Sequence, residues 1–332
     1  MKNILILTTG GTIASGKTDN GLAALMDSEE ILSYVPSIYE ICNIDTMQLF
    51  NLDSTNMEPK HWCIIAKSIK ENYEKYDGFV VLHGTDTMSY TAAALSYLIQ
   101  KSPKPIVITG SQRPIDNEIT DGKMNLYDSL LYASDDNSHD VTIVFSGHVI
   151  AGTRARKTRT KSFNAFRSIN FPDIAEIRND NHIVRYIQRN EVLNGPEFHL
   201  TLNTRILVLK LIPGIDVRIF DYLKLHYDVI IIESFGVGGI PCNEVDSFMN
   251  AIADWVSSGK LLVVTTQVTH EGSDMAIYNV GSRIKNKYEL IEAYDMTLES
   301  VITKLMWILS KTKDFKEIKE LFYTSVNYDI IL

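Results

Sequence analysis

Short, nearly continuous runs of Val, Ile and Leu recur along this chain, and helical patterns fill most of the intervals between them. The runs lie at 3–8, 79–83, 105–109, 141–146, 206–211, 228–233 and 260–265. A strand that is apolar at successive positions must be covered on both faces, as in a parallel sheet sandwiched by helices. The intervals predict helices over 58–75, 88–101, 124–134, 244–258 and 297–310, the first entered at Glu58-Pro59. This alternation predicts an α/β fold: a larger, doubly wound N-terminal domain with a mainly parallel sheet, plus a smaller α/β C-terminal domain. Since 332 residues exceed one core, the expected division is 1–188, a turn-rich linker over 189–204, and 205–332.

Two Gly/Thr turns close two of these runs. Thr8-Thr9-Gly10-Gly11-Thr12-Ile13-Ala14 follows Ile4–Leu7, and His83-Gly84-Thr85-Asp86-Thr87 follows Phe79–Leu82. Loops at the carboxyl ends of parallel strands are where open α/β sheets hold ligands. Threonine hydroxyls and glycine-exposed N–H groups there suit attack on a carbonyl and retention of the resulting oxyanion.

The net charge of −9 argues against a general nucleic-acid or anionic-membrane partner. Lys2 precedes only four consecutive apolar residues, too few for a signal-peptide core, and no later run approaches a membrane span. Cys42, Cys63 and Cys242 are scattered and without metal-ligand spacing, which fits reduced thiols in a cytosol. None of the eight histidines forms a metal pair, and neither a metal nor a cofactor is expected.

One motif is a decoy. Gly11 through Gly16-Lys17-Thr18 satisfies the phosphate-loop pattern G-x-x-x-x-G-K-[ST]. That loop must open a long helix, yet Asp19-Asn20-Gly21, a strong turn signal, comes next.

Taken together, TTGGTIAS at 8–15 and HGTDTMSYTAAALSYL at 83–98 resemble the bacterial L-asparaginase family, which hydrolyses the side-chain amide of asparagine. Asn51–Met57 resembles that family's substrate-carboxylate loop, and Pro105–Pro114 the strand after its second threonine motif. Gly152–Lys157, with Phe163–Phe166 beyond, resembles the segment carrying its essential lysine. The absence of a leader makes the chain resemble the cytoplasmic type I branch.

The resemblance implies Thr12 as nucleophile, with Thr9 its nearer rival. It implies a second constellation of Thr85, Asp86 and Lys157. A lysine kept neutral by burial could take a threonine proton, with an adjacent carboxylate orienting it. Asp86 also resembles the family residue that binds the substrate ammonium, and Ser54, with Thr55 beside it, the hydroxyl that grips the α-carboxylate. Read without the resemblance, Thr85 or Thr87 would cap a helix, Asp53–Asn56 would be a helix-entry turn, and His83 a hydrogen-bonded packing residue. Arg154, Arg156, Arg159, Lys161 and Arg167 read as a solvated face or subunit contact.

Ser15–Ala24 resembles a flap that closes over substrate. In much of the family the flap supplies a tyrosine that activates the first threonine. Here Leu22 takes that place, no tyrosine precedes Tyr34, and the group that activates Thr12 stays open between a Thr85–Lys157 relay and another base. The expected reaction converts L-asparagine to L-aspartate and ammonia through a β-aspartyl-enzyme, with glutamine as an unresolved second substrate. The family builds its site between subunits, which implies a homodimer or homotetramer, with Gly236–Gly239 as a contributor from the neighbour. Three other functions compete: ammonia supply in an amidotransferase, whose chains carry an extra N-terminal domain; a non-catalytic amino-acid sensor; and a nucleotide hydrolase.

Overall fold

The computed structural model describes the chain except for residues 19–20, 25, 179–180, 189–194, 242–247, 278–281, 283, 286 and 332; of 16–18 and 21–24 it describes the backbone alone. The described residues form two compact units, Met1–Thr201 with Val326–Tyr328, and Leu202–Ser325 with Asp329–Leu332. Part of the expected linker, 189–194, lies outside the described residues, as does Cys242.

The first unit is built on an eight-stranded sheet. Its parallel part runs, edge inward, through Asn43–Leu52, Asn3–Gly10, Gly78–Leu82, Ile106–Thr109 and Val141–Phe145. His148–Ala151, Ala175–Ile177 and Ile183–Arg185 extend it antiparallel. Ile4 through Leu7 and Phe79 through Leu82 are at most 1% exposed, so both faces are covered, as their unbroken apolar pattern requires. After Asn3–Gly10 the chain goes to one side of that strand to form Asn43–Leu52, then crosses to its other side to form Gly78–Leu82. The order therefore reverses between Asn3–Gly10 and Gly78–Leu82, and the loops leaving these two strands diverge there to open a crevice.

Helices Pro59–Asn72, Met88–Leu98 and Gly122–Ala133 cover the sheet. The helix expected over 88–101 stops at Leu98, because Ile99–Gln100 turns extended and pairs with Glu197–Phe198. Val326–Tyr328 returns to the first unit, where Asn327 Nδ2 donates to Ser96 Oγ at 3.0 Å and to the Val141 carbonyl at 2.8 Å.

The second unit carries a four-stranded parallel sheet in sequential order: Ile206–Lys210, Val229–Ser234, Leu261–Thr266 and Ile291–Glu292. Helix Phe248–Ser257 packs Phe248, Ile252 and Trp255 into its core. Lys304, on helix Leu298–Ile308, is wholly buried and pairs with buried Asp329 at 2.6 Å while donating to the Thr324 carbonyl.

Candidate active site

Four neighbouring parallel strands each deliver a polar residue from their carboxyl ends. Asn43–Leu52 leads to Ser54, Asn3–Gly10 to Thr12, Gly78–Leu82 to Thr85 and Asp86, and Ile106–Thr109 to Gln112. Lys157 arrives separately, on the hairpin of Ala155–Lys157 with Phe166–Ser168.

The two Gly/Thr turns abut through their glycines. Gly11 sits at φ 86°, a left-handed conformation that side chains disfavour, and a Cβ there would lie 2.4 Å from the Gly84 nitrogen. A Cβ on Gly84 would lie 2.6 Å from Ser54 Oγ. Three loops thus close onto one point only because two of the residues have no side chain. Thr12 and Thr85 each directly follow a glycine of this contact.

Lys157 Nζ donates to Thr85 Oγ1 at 2.7 Å and to Asp86 Oδ1 at 2.7 Å. The lysine side chain is 16% exposed and that of Asp86 59%, so the pair spans the wall of the crevice and its mouth. Thr85 Oγ1 in turn donates to Gln112 Oε1 at 3.1 Å, and Gln112 Nε2 donates to the Ser162 carbonyl at 3.1 Å. The Asp121 carboxylate accepts the Gln112 and Arg113 backbone N–H groups, fixing the loop that presents Gln112. Burial raises the Asp121 pKa, against these bonds, which lower it.

Ser54 is buried, and its Oγ accepts the Asp86 N–H at 3.3 Å, leaving its own proton to donate. Thr55 points elsewhere: it is exposed, and its hydroxyl and N–H both donate to Asp53. The turn at Ser54–Asn56 is therefore capped by Asp53, while Ser54 itself faces the crevice. Thr87 occupies the N-cap position of helix Met88–Leu98 without capping it; its hydroxyl donates to the Ser54 carbonyl at 2.8 Å instead. The capping role expected of Thr87 yields to tying the two loops together.

Thr9 and Thr12 differ in the same way. The Thr9 hydroxyl is buried and donates to the Leu82 carbonyl at 2.9 Å, within the sheet. Thr12, half-buried at the start of a 3-10 turn over Thr12–Ala14, takes no hydrogen-bond partner on its hydroxyl among the described residues. Ser15–Thr18 then pairs antiparallel with Gly21–Ala24, so no helix follows Lys17 and the phosphate-loop reading fails. Leu22 stands opposite Lys17 in that ribbon; Asp19 and Asn20 of the expected flap lie outside the described residues. Tyr34 packs against the core of the first unit.

His83 sits beneath the second turn with no exposed surface. Trp62 Nε1 donates to Thr91 Oγ1, which donates to His83 Nε2 at 2.9 Å; Nδ1–H donates to the Gly84 carbonyl at 2.7 Å. Desolvation lowers its pKa to about 4, with the bond to the Gly84 carbonyl opposing, so the ring is neutral near pH 7. With both nitrogens engaged, it serves as a brace under Gly84.

Arg154 corrects one expectation. It is not part of a solvated cationic face but wholly buried, its Nε donating to the Tyr328 carbonyl and its guanidinium lying 5.5 Å from the Phe171 ring centroid. The returning Val326–Tyr328 segment provides that carbonyl, and so steadies the chain three residues before Lys157. Gln112, Asp121 and this segment were not singled out from sequence. Gln112 lay within the quoted 105–114 stretch, but nothing local marks a glutamine as a partner for a distant threonine.

A family model described as "Asparaginase, N-terminal" matches residues 3–190, and one described as "Glutaminase/Asparaginase C-terminal domain" matches 205–322. This chain belongs to the asparaginase family. The L-asparaginase of Thermococcus kodakarensis is 36% identical, over 98% of this chain and 98% of that protein. The solved structure of the thermostable L-asparaginase from that organism superposes with a TM-score of 0.91 at 34% identity, covering 99% of both chains. L-asparaginase I from Vibrio cholerae gives 0.89 at 30% identity, covering 100% of this chain and 99% of that one. A subunit of the glutamyl-tRNA(Gln) amidotransferase of Methanobrevibacter smithii is 33% identical over 98% of this asparaginase-family chain and 76% of its own length. No described helix is long and apolar enough to cross a membrane, and the described residues hold no His/Cys/Asp/Glu cluster able to bind a metal.

Proposed function

We propose that this chain hydrolyses L-asparagine to L-aspartate and ammonia through a β-aspartyl ester on Thr12. One observation carries the reading: Thr12, whose hydroxyl has no partner among the described residues, stands across a glycine–glycine contact from the bonded set Thr85–Asp86–Lys157. Thr12 Oγ1 attacks the side-chain amide carbon. The C–N bond breaks and the nitrogen leaves as ammonia, taking up the threonine proton. A water oxygen then attacks the ester carbon, and Thr12 recovers a proton as aspartate leaves.

The other residues divide the remaining tasks. Asp86 Oδ1 receives Lys157, so its second oxygen is available to the substrate ammonium. Ser54 Oγ–H donates to the α-carboxylate. Fixing both ends of the amino acid holds its amide near Thr12. Thr85 and Lys157 handle the proton of the attacking group, with general acid–base help worth about 10²–10⁴-fold. Gln112 fixes which way the Thr85 proton turns. Thr55 is left out, because its hydroxyl is committed to Asp53. The relatives named L-asparaginase support this assignment. A homodimer or a dimer of dimers, working in the cytoplasm, completes the proposal.

A second reading, ammonia supply to an amidotransferase, is favoured by the relatives named as amidotransferase subunits. Ammonia release from L-asparagine, L-glutamine and their D-isomers, by the chain alone, separates the two. Sustained release from free L-asparagine supports hydrolysis; release that waits on a second protein and its acceptor supports supply. Stoichiometric asparagine binding without ammonia would overturn both. Discrimination against glutamine is expected to be about 10–200-fold, the worth of one methylene in a fitted pocket.

A further inference from the structure

We propose that the groove along helix Gly122–Ala133 is a second binding site, taking the primary ammonium group of a small amine on the Asp128 carboxylate. The groove has a volume of about 1200 Å³, and Met124, Tyr127, Phe163 and Ile177 give it apolar walls. Asp121, Asn125 and Asp128 lie at i, i+4 and i+7, so one helix face carries all three toward it. Two of them are committed elsewhere. Asp121 holds the Gln112–Arg113 turn, while Asn125 donates to the Gly110 carbonyl and accepts the Ser146 N–H.

Asp128 is not committed. It is 5% exposed, lines the groove, and has no hydrogen bond or ion pair among the described residues. Burying a carboxylate without a partner is strongly unfavourable, and desolvation alone pushes its pKa up to about 7. Asparagine has the same shape and would avoid that penalty, so keeping the acid here makes sense if a cation comes from outside. A hard cation such as Ca²⁺ would need six or more oxygens, and the Asn125 amide oxygen is already taken by Ser146. Lys123, His148, Glu176 and Arg178 also line the groove, none of them paired with Asp128 among the described residues, and its apolar walls together with this carboxylate match an ammonium on a carbon body. The site is separate from Thr85, Asp86 and Lys157, and its wall includes Asp121 and Phe163, neighbours of the Gln112 loop.

The test is ligand-observed NMR titration with n-butylammonium and its neutral counterpart n-butanol, at about pH 8, where amine and carboxylate are both charged. Wild-type protein should bind butylammonium saturably and at least about tenfold tighter than butanol, a difference of about 1.4 kcal/mol. Asp128→Asn should abolish that preference while melting no lower than wild type and releasing ammonia at an unchanged rate. Equal binding of amine and alcohol, unchanged amine binding by Asp128→Asn, or no saturable amine binding would overturn the proposal. Since the readout is binding, failure of the catalytic reading leaves this test intact.

Discussion

The two Gly/Thr turns look alike in sequence and abut in space, yet they are bonded in opposite ways. At the second turn the Thr85 hydroxyl is engaged on both sides: Lys157 and Gln112 hold it, His83 braces the Gly84 carbonyl, and Thr87 ties the turn to Ser54. At the first turn Thr9 is locked into the sheet, while the Thr12 hydroxyl has no partner among the described residues. A held hydroxyl can orient and pass a proton, because its lone pairs and proton have fixed directions. A free one can move onto a carbonyl carbon. On the proposed reading, the second turn orients and the first attacks.

The contrast breaks most severely at Thr12. Replacing it with alanine should cut ammonia release by about 10³-fold or more with the melting temperature unchanged; near-normal turnover would mean that the free hydroxyl is a bystander. Next comes Lys157→Met, which should lower kcat by about 10²–10⁴-fold and move KM far less. Within the same network, Gln112→Ala removes the acceptor of the Thr85 proton, along with the bond to the Ser162 carbonyl, and should cost about tenfold in kcat. A loss carried by KM alone would make Gln112 a substrate contact instead of a positioning residue.

The smallest effect concerns the brace beneath Gly84. His83 has a folded pKa of about 4, below its unfolded value, so the unfolded chain binds more protons between about pH 6.5 and 4. Its contribution is present above pH 6.5 and is lost as pH falls through 4, a total on the order of 3 kcal/mol. Asp128, raised to about 7, works in the opposite sense: its contribution is present at low pH and lost as pH rises through 7. Denaturant unfolding across this range in an Asp128→Asn background should show the histidine slope, flattened by His83→Asn. An unchanged slope would mean that the ring is not held neutral.

Much of this arrangement was readable before any coordinates. Continuous apolar runs such as Ile4–Leu7 and Val229–Ile232 mark strands buried on both faces, and the turns that end them mark the crevice. Asn43–Leu52 was missed because it is an edge strand: Asn43-Ile44-Asp45-Thr46 carries polar residues on its open side and never forms an apolar run. The three-residue strands at 175–177 and 183–185 are too short to show a period. Within the site, Thr12, Ser54, Thr85, Asp86 and Lys157 were named from motifs. Gln112 and the buried Arg154 were not, since their roles depend on long-range partners, Thr85 and Tyr328, which no local pattern predicts.

Acid-quenched turnover of L-asparagine, followed by mass spectrometry of the digested protein, addresses the division between the turns most directly. Quenching the wild-type protein within its first turnovers should trap an ester with the mass of one aspartyl group on the peptide carrying Thr12. The same ester on the peptide carrying Thr85, or steady turnover with no ester on either, would contradict it.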